Sequence, residues 1–273
     1  MDEPTGTDRP PRKAWPSDFP AVIVHIEYRR ILQHPDYSMA KAGAAAAAER
    51  LVTDLVNEAA VQRIAEVLGS RKPEIVPVHA EERTGRNKIP MAYALLLADR
   101  LGLDVGTRIV QSNIALHGGR DAYYRLAIQP EFDGPVASGR DYLIVDDTMT
   151  MGGTLANLRG DIETNGGEVI MASTLSRPVS PGVRGAALDL EIHLASTTLA
   201  RLNARHPRLS TWWQREYGHD LDALTEGEAG HLLKAAFVDA IRDRIVAARR
   251  RAGVAGNKGP DGSSEGPQST GKR

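Results

Sequence analysis

Apolar positions along this chain come in two textures that alternate. PAVIVHI (20–26), EIVPV (74–78), TRIVQ (107–111), YRLAIQ (124–129), YLIVD (142–146) and EVIMASTL (168–175) are short apolar runs of strand length. They predict strands, and Pro77 puts the second at a sheet edge or a strand end, because proline cannot donate to a ladder. Between Met39 and Leu68 the spacing becomes helical. Leu51, Val52, Leu55, Val56, Ala59, Ile64, Val67 and Leu68 share a face, the alanines of 44–48 add propensity, and Gly69 stops the helix. MAYALLLADRLGL (91–103) predicts a helix closing at Gly102, and residues 153–165 predict one closing at Asn165-Gly166-Gly167. Strand and helix alternating over about 100 residues predict an α/β fold, a mostly parallel twisted sheet flanked by helices. From about Thr197 the texture turns helical and polar, which predicts a helical C-terminal hood over the sheet's edge or top.

The two ends differ from this middle. Residues 1–18 are polar and proline-rich without a signal-peptide pattern, and residues 254–273 carry almost no large apolar side chain. Both read as disordered, which leaves an α/β core over 19–195 and a helical hood over 196–253. In a chain of 273 residues, 41% apolar, a sizeable core fits. A net charge of −1 gives no global case for nucleic acid or an anionic membrane. No run reaches the roughly 18 apolar residues of a membrane span. The chain has no cysteine, which excludes disulfides, thiolate metal sites and cysteine nucleophiles and suits a cytoplasmic location.

The densest chemistry lies in DYLIVDDTMTMGGTL (141–155), at the carboxyl end of a predicted strand, where sheets of this kind bind ligands. The loop TMTMGGT leads into a helix. The first backbone N–H groups of a helix lack internal partners, small residues keep them accessible, and the helix dipole favours an anion there. Thr148, Thr150 and Thr154 add hydroxyls. The pattern is a phosphate cradle that lacks both the Gly-Lys-Ser/Thr ending of the Walker loop and the G-x-G-x-x-G fingerprint. Asp146 and Asp147 precede it and are suited to accept hydrogen bonds from vicinal hydroxyls. A phosphate at one end and a diol at the other describe ribose 5-phosphate. The plainer alternative is a strand end with a solvated acidic pair and an ordinary helix start.

VDDTMTMGGT resembles the phosphoribosyl pyrophosphate signature of the type I phosphoribosyltransferases: a hydrophobic strand, two acidic residues, a short loop, Gly-Gly or Gly-Lys, then Thr or Ser. The match runs over positions 142–155. The resemblance implies that Asp146 and Asp147 bind the ribose hydroxyls and that Thr148, Met149, Thr150, Met151, Gly152, Gly153 and Thr154 form the phosphoribosyl pyrophosphate loop, residues 150–154 holding the 5-phosphate. It implies Mg2+ bridging pyrophosphate and ribose oxygens, so the acidic pair meets the metal only indirectly, through ribose or water. AKAG (40–43) and LTEGEA (224–229) resemble segments of orphan bacterial phosphoribosyltransferase-like proteins.

The same resemblance implies a pyrophosphate loop in HAEERTGRNKIP (79–90), where Asn87-Lys88-Ile89-Pro90 is similar to the orotate branch and Arg83, Arg86 and Lys88 would neutralise the leaving group. Glu81 and Glu82 depart from that pattern, and a solvated charged loop is the alternative. SNIALHGGRDAY (112–123) matches the position of the family's flexible closing loop, with His117, Arg120 and Asp121 as candidates; a Gly-Gly turn explains the same letters. Trp212, Trp213 and Tyr217 are candidates for stacking on an acceptor base, or simply core contacts. The arginines of 242–252 fit the C-terminal end of a helix dipole. Thr150 stands where the hypoxanthine–guanine branch has an aspartate, so no general base comes from the loop. The implied reaction is transfer of ribose 5-phosphate to an unidentified nucleophile with loss of pyrophosphate, a glycosyl transfer of nucleotide metabolism. The alternative is a non-catalytic sensor of phosphoribosyl pyrophosphate or a nucleotide. A homodimer is the usual expectation for such folds.

Overall fold

The computed structural model describes residues 12–79, 81–82, 85–113, 121–178 and 191–256. The chain opens with strand β1 (Val22–Glu27) and helices α1 (Tyr28–Gln33), α2 (Tyr37–Lys41), α3 (Ala45–Leu55) and α4 (Glu58–Leu68). Strand β2 (Glu74–Pro77), a two-strand ladder of β3 (Glu81–Glu82) and β4 (Gly85–Arg86), and α5 (Ile89–Leu101) follow. Next come β5 (Val110–Gln111), α6 (Ala122–Ala127), β6 (Phe132–Asp133), β7 (Asp141–Thr148), α7 (Gly153–Thr164), β8 (Glu168–Arg177) and β9 (Glu191–Ile192). The remainder is helical: α8 (Leu199–Arg205), α9 (Leu209–Tyr217), a 3-10 turn (Leu221–Ala223), α10 (Glu226–Leu233) and α11 (Val238–Gly256).

The main sheet runs β2-β7-β8-β1-β9, parallel throughout except for β9, which lies antiparallel on β1. Because side chains alternate across a strand, β7 serves two cores. Leu143 and Val145 pack with α3, α4 and α5, while Tyr142 and Ile144 pack with Leu155, Leu158 and Ile162 of α7. A third core joins α6 to the C-terminal helices. The fold is therefore α/β, a mostly parallel sheet with helices on both faces and a helical C-terminal region, as the sequence resemblance implies.

A buried polar chain crosses the first core. The Asn57 N–H donates to His25 Nδ1 at 3.0 Å, which puts the ring proton on Nε2. The Tyr93 hydroxyl lies 2.7 Å from His25 Nε2 and 2.6 Å from Ser173 Oγ, and Ser173 donates to the Ile23 carbonyl at 2.7 Å. Burial lowers the His25 pKa to about 4, so the ring stays neutral.

Several expectations need correction. The helical stretch 39–68 is three helices. Gly43 turns the chain at φ 108, and Asn57 leaves the helix to cap α4 through the Ala59 N–H. Pro77 does end an edge strand. YRLAIQ is not a strand: Asp121 caps α6 by accepting from the Tyr124 N–H at 2.8 Å, and Tyr123, Tyr124, Leu126 and Ala127 form a helical face against the C-terminal core. Only Val110 and Gln111 of TRIVQ enter a ladder, paired with β6. Residues 12–18 are not a disordered lead. Arg159 donates to the carbonyls of Lys13 and Ala14, and its guanidinium lies 4.5 Å from the Trp15 ring centroid. Arg12 is buried in an ion pair with Glu228. These anchors outweigh a polar, proline-rich composition. Residues 1–11 of that lead and 257–273 of the tail lie outside the described residues.

Candidate functional site

The carboxyl end of β7 puts Asp146 and Asp147 on opposite faces of the sheet, both buried. Asp147 turns toward the helices of the first core. Lys41 Nζ, from the last turn of α2, lies 3.0 Å from its Oδ2, and Asn87 Nδ2 donates to the same oxygen at 3.0 Å. Asn87 is itself fixed, because its Oδ1 accepts from the Ile89 N–H at the start of α5. Asp146 sits beside Thr174 of β8, and its Oδ1 accepts from the Asp147 N–H at 2.7 Å. Burial, and then the neighbouring Asp147 carboxylate, raise the Asp146 pKa well above the usual carboxylate range. A side-chain hydrogen bond also joins the Asp146 and Asp147 carboxyls. The strand end thus holds a buried pair of carboxyls in contact with each other.

The loop that follows is held from below and behind. The Met149 N–H donates to the Ser176 carbonyl at 2.9 Å, and the Met149 side chain joins the α7 core. The Thr148 hydroxyl pairs with Ser176 Oγ at 2.9 Å, whereas Thr150 is exposed. Gly152 begins α7 at φ 87, and a Cβ there would lie 2.7 Å from Leu194 Cδ2 and 3.3 Å from Thr225 Cγ2. A Cβ on Gly227 would lie 2.9 Å from both Cα and O of Met151, to which the Thr225 hydroxyl donates. So α10 presses directly on the loop. Thr225 and Glu228 close a capping box at its start. Behind Gly153, Arg12 donates to both Glu228 oxygens, at 2.7 and 3.0 Å, to the Gly153 carbonyl at 3.3 Å, and to Asn157 Oδ1. The glycine pair has a packing reason as well as the cradle reason that its composition suggests. Gly153, Thr154 and Leu155 open α7, where backbone N–H groups lack intrahelical partners and the dipole favours an anion.

Other candidates lie around this centre. Lys88 precedes α5, half-buried, and its N–H donates to the Ala40 carbonyl at 3.1 Å. Arg86 ends β4, exposed. His79 follows β2; burial and the charges of Arg86 and Lys88 lower its pKa. Arg83, His117 and Arg120 lie outside the described residues, as do the side chains of Glu81 and Glu82. Asp121 is a helix cap and also meets Arg251 at 3.2 Å. Trp212, Trp213 and Tyr217 are buried in the C-terminal core; Trp213 stacks on Tyr217 with centroids 4.2 Å apart, and Arg242 lies over the Trp212 ring.

Sequence reasoning assigned no role to Lys41, Asn87, Ser176, Arg12 or Glu228. The signal for two of them was present: AKAG contains Lys41, and LTEGEA contains the capping box and Glu228. The structure brings these segments to the two flanks of VDDTMTMGGT. No group of three or more His, Asp or Glu that could hold an ion occurs among the described residues, and one Asp147 oxygen is taken by Lys41 and Asn87. No helix among the described residues is long and apolar enough to cross a membrane.

Fold and site together define an α/β protein with an acidic strand end leading into a glycine loop at a helix N-terminus. No family model matches the chain. It is 45% identical over 245 residues to Protein TraN of Escherichia coli, covering 89% of this chain and 53% of that protein. It is 40% identical over 151 residues to an uncharacterized protein of Haemophilus influenzae, covering 55% of this chain and 34% of that one. The chain thus spans about half the length, or less, of these curated relatives. Among solved structures it aligns with an adenine phosphoribosyltransferase at TM-score 0.30 and 15% identity, over 47% of this chain and 74% of the other. It aligns with orotate phosphoribosyltransferase from Aeropyrum pernix at TM-score 0.28 and 23% identity, over 47% and 64%. For purine phosphoribosyltransferase from Pyrococcus horikoshii Ot3 the values are 0.29 and 18%, over 48% and 92%. At such scores the overlap is partial.

Proposed function

We propose that the chain binds phosphoribosyl pyrophosphate at the carboxyl end of β7 and transfers its ribose 5-phosphate to a nucleophile, releasing pyrophosphate. The observation that carries this reading is the buried acidic pair at the end of β7, held by Lys41 and Asn87, directly ahead of a glycine loop that opens α7. Two adjacent carboxyls are the chemistry that accepts hydrogen bonds from two vicinal ribose hydroxyls. The α7 N-terminus suits the 5-phosphate. Asp146 and Asp147 orient the ring, and residues 150–154 hold the phosphate. Lys88 and Arg86, with Arg83, receive the departing pyrophosphate. Mg2+ bound with the ligand would supply charge neutralisation of the leaving pyrophosphate. Positive charge develops on the ribose in the transition state, so the chain's task is to position the ring, stabilise the leaving group and exclude water.

The test is pyrophosphate release from phosphoribosyl pyrophosphate and Mg2+ in the presence of purine and pyrimidine bases and of amines. Release that depends on one acceptor class, and that is lost in Asp146→Asn/Asp147→Asn, supports transfer. Binding without release for every acceptor assigns the chain to the sensing alternative instead.

A further inference from the structure

Lys41 stands apart from the groups used above. It comes from α2, a single turn of helix far from β7 in sequence, and its Nζ lies 3.0 Å from Asp147 Oδ2. The turn is fixed in place: the Lys88 N–H donates to the Ala40 carbonyl at 3.1 Å, and Ala40 is fully buried. The Lys41 and Asp147 side chains are 19% and 8% exposed, so the pair is shielded from water. Asn87 donates to the same Asp147 oxygen, which orients the carboxylate from a second direction. Tyr37, one turn before Lys41, hydrogen-bonds Tyr28, and the Lys41 charge acts on its phenol. A buried carboxylate is stabilised by a paired cation, and with burial and Asp147 pushing Asp146 toward its neutral form, Asp147 is the charge to be matched. Here the chain supplies one beside the ribose end. Arg86 and Lys88 occupy a separate position, on the loop leading into α5.

We propose that Lys41 is the resident cation of the ribose end. It fixes Asp147 and offsets the charge of the acidic pair, so that ribose 5-phosphate binds here without a divalent ion. This rests on the reading of the cleft as a ribose 5-phosphate site. Magnesium then serves only the pyrophosphate half of a larger ligand. Lys41 is a positioning residue, acting through Asp147.

The experiment is calorimetric titration of ribose 5-phosphate into wild type, Lys41→Met and Lys41→Arg, each in excess EDTA and in excess Mg2+. The wild type is expected to bind with the same affinity in both media. In EDTA Lys41→Met should lose about tenfold or more, the loss of one charge-assisted contact, with part of it recovered in Mg2+. Lys41→Arg should keep most of the wild-type affinity. Wild-type binding that appears only with Mg2+ overturns the proposal without recourse to any variant. So does a folded Lys41→Met that matches wild type in EDTA. Failure of the wild type to bind ribose 5-phosphate in either medium overturns the ribose-site reading itself, and the role of Lys41 with it.

Discussion

Replacing Glu228 by glutamine should be among the most damaging conservative changes in the molecule. The carboxylate and the Arg12 guanidinium are 2% and 1% exposed, joined by two hydrogen bonds of 2.7 and 3.0 Å. An amide keeps the volume and an acceptor for the Thr225 N–H, but it leaves the Arg12 charge buried and unpaired. Breaking a buried pair from one side costs about 3–5 kcal/mol. The same substitution loosens the back of the phosphate loop, because Arg12 also holds the Gly153 carbonyl and Asn157. Urea unfolding of wild type, Glu228→Gln, Arg12→Met and the double variant measures the effect. Each single variant should lose about 3 kcal/mol or more, and the double variant should lose clearly less than the sum of the two. Losses under about 1 kcal/mol, or simple additivity in the cycle, would refute the view that this pair clamps the N-terminal segment and α10 to the loop.

Three further outcomes are expected. His25 and His219 are both lowered to about 4, His25 by burial and His219 by burial and the Arg12 charge. Their folded pKa values lie below the ordinary 6.5, so stability is full above pH 6.5 and falls as pH drops from 6.5 to about 4, by up to about 3 kcal/mol for each residue; His25→Asn should remove about half of that slope in urea titrations at stepped pH. Asp161 has the opposite sign: burial and Asp133 raise it to about 6, and its Oδ2 has no hydrogen-bond partner among the described residues. It therefore weakens the fold as pH rises from 3.8 to 6, and Asp161→Asn should stabilise the protein by about 1–2 kcal/mol at pH 7 but not at pH 4, read from melting curves. Gly152→Ala meets both a φ of 87 and a side chain 2.7 Å away, so it should cost about 1–3 kcal/mol and weaken binding of ribose 5-phosphate, measured by unfolding and calorimetry.

The sheet was legible in the sequence because its central strands are continuous apolar runs, and no helix periodicity competes with YLIVD or EVIMASTL. YRLAIQ misled because its apolar spacing also fits a helix, and the deciding signal, Asp121 as a cap, lies outside the run. The phosphate loop was legible because its chemistry is local: acid pair, hydroxyls and glycines lie within one stretch. Asn87 and Arg12 were not, and AKAG and LTEGEA marked the segments of Lys41 and Glu228 without their contacts, since each side chain reaches the site through tertiary packing from a distant segment. The N-terminal segment misled for the same reason: polar composition says nothing of a partner such as Glu228, which the fold brings from the other end of the chain. Trp212 and Trp213 illustrate the reverse, aromatic residues whose burial follows from the hydrophobic faces of α9 and α11.

The central claim is that the β7 end and the α7 N-terminus together hold a phosphorylated ribose. Calorimetric titration of phosphoribosyl pyrophosphate with Mg2+ into wild type and into Asp146→Asn/Asp147→Asn tests it most directly. Saturable one-site binding in the wild type, lost in a double variant that still melts cooperatively, is the predicted result. A wild type that takes up no phosphoribosyl pyrophosphate, or a double variant that binds it equally well, would contradict the account.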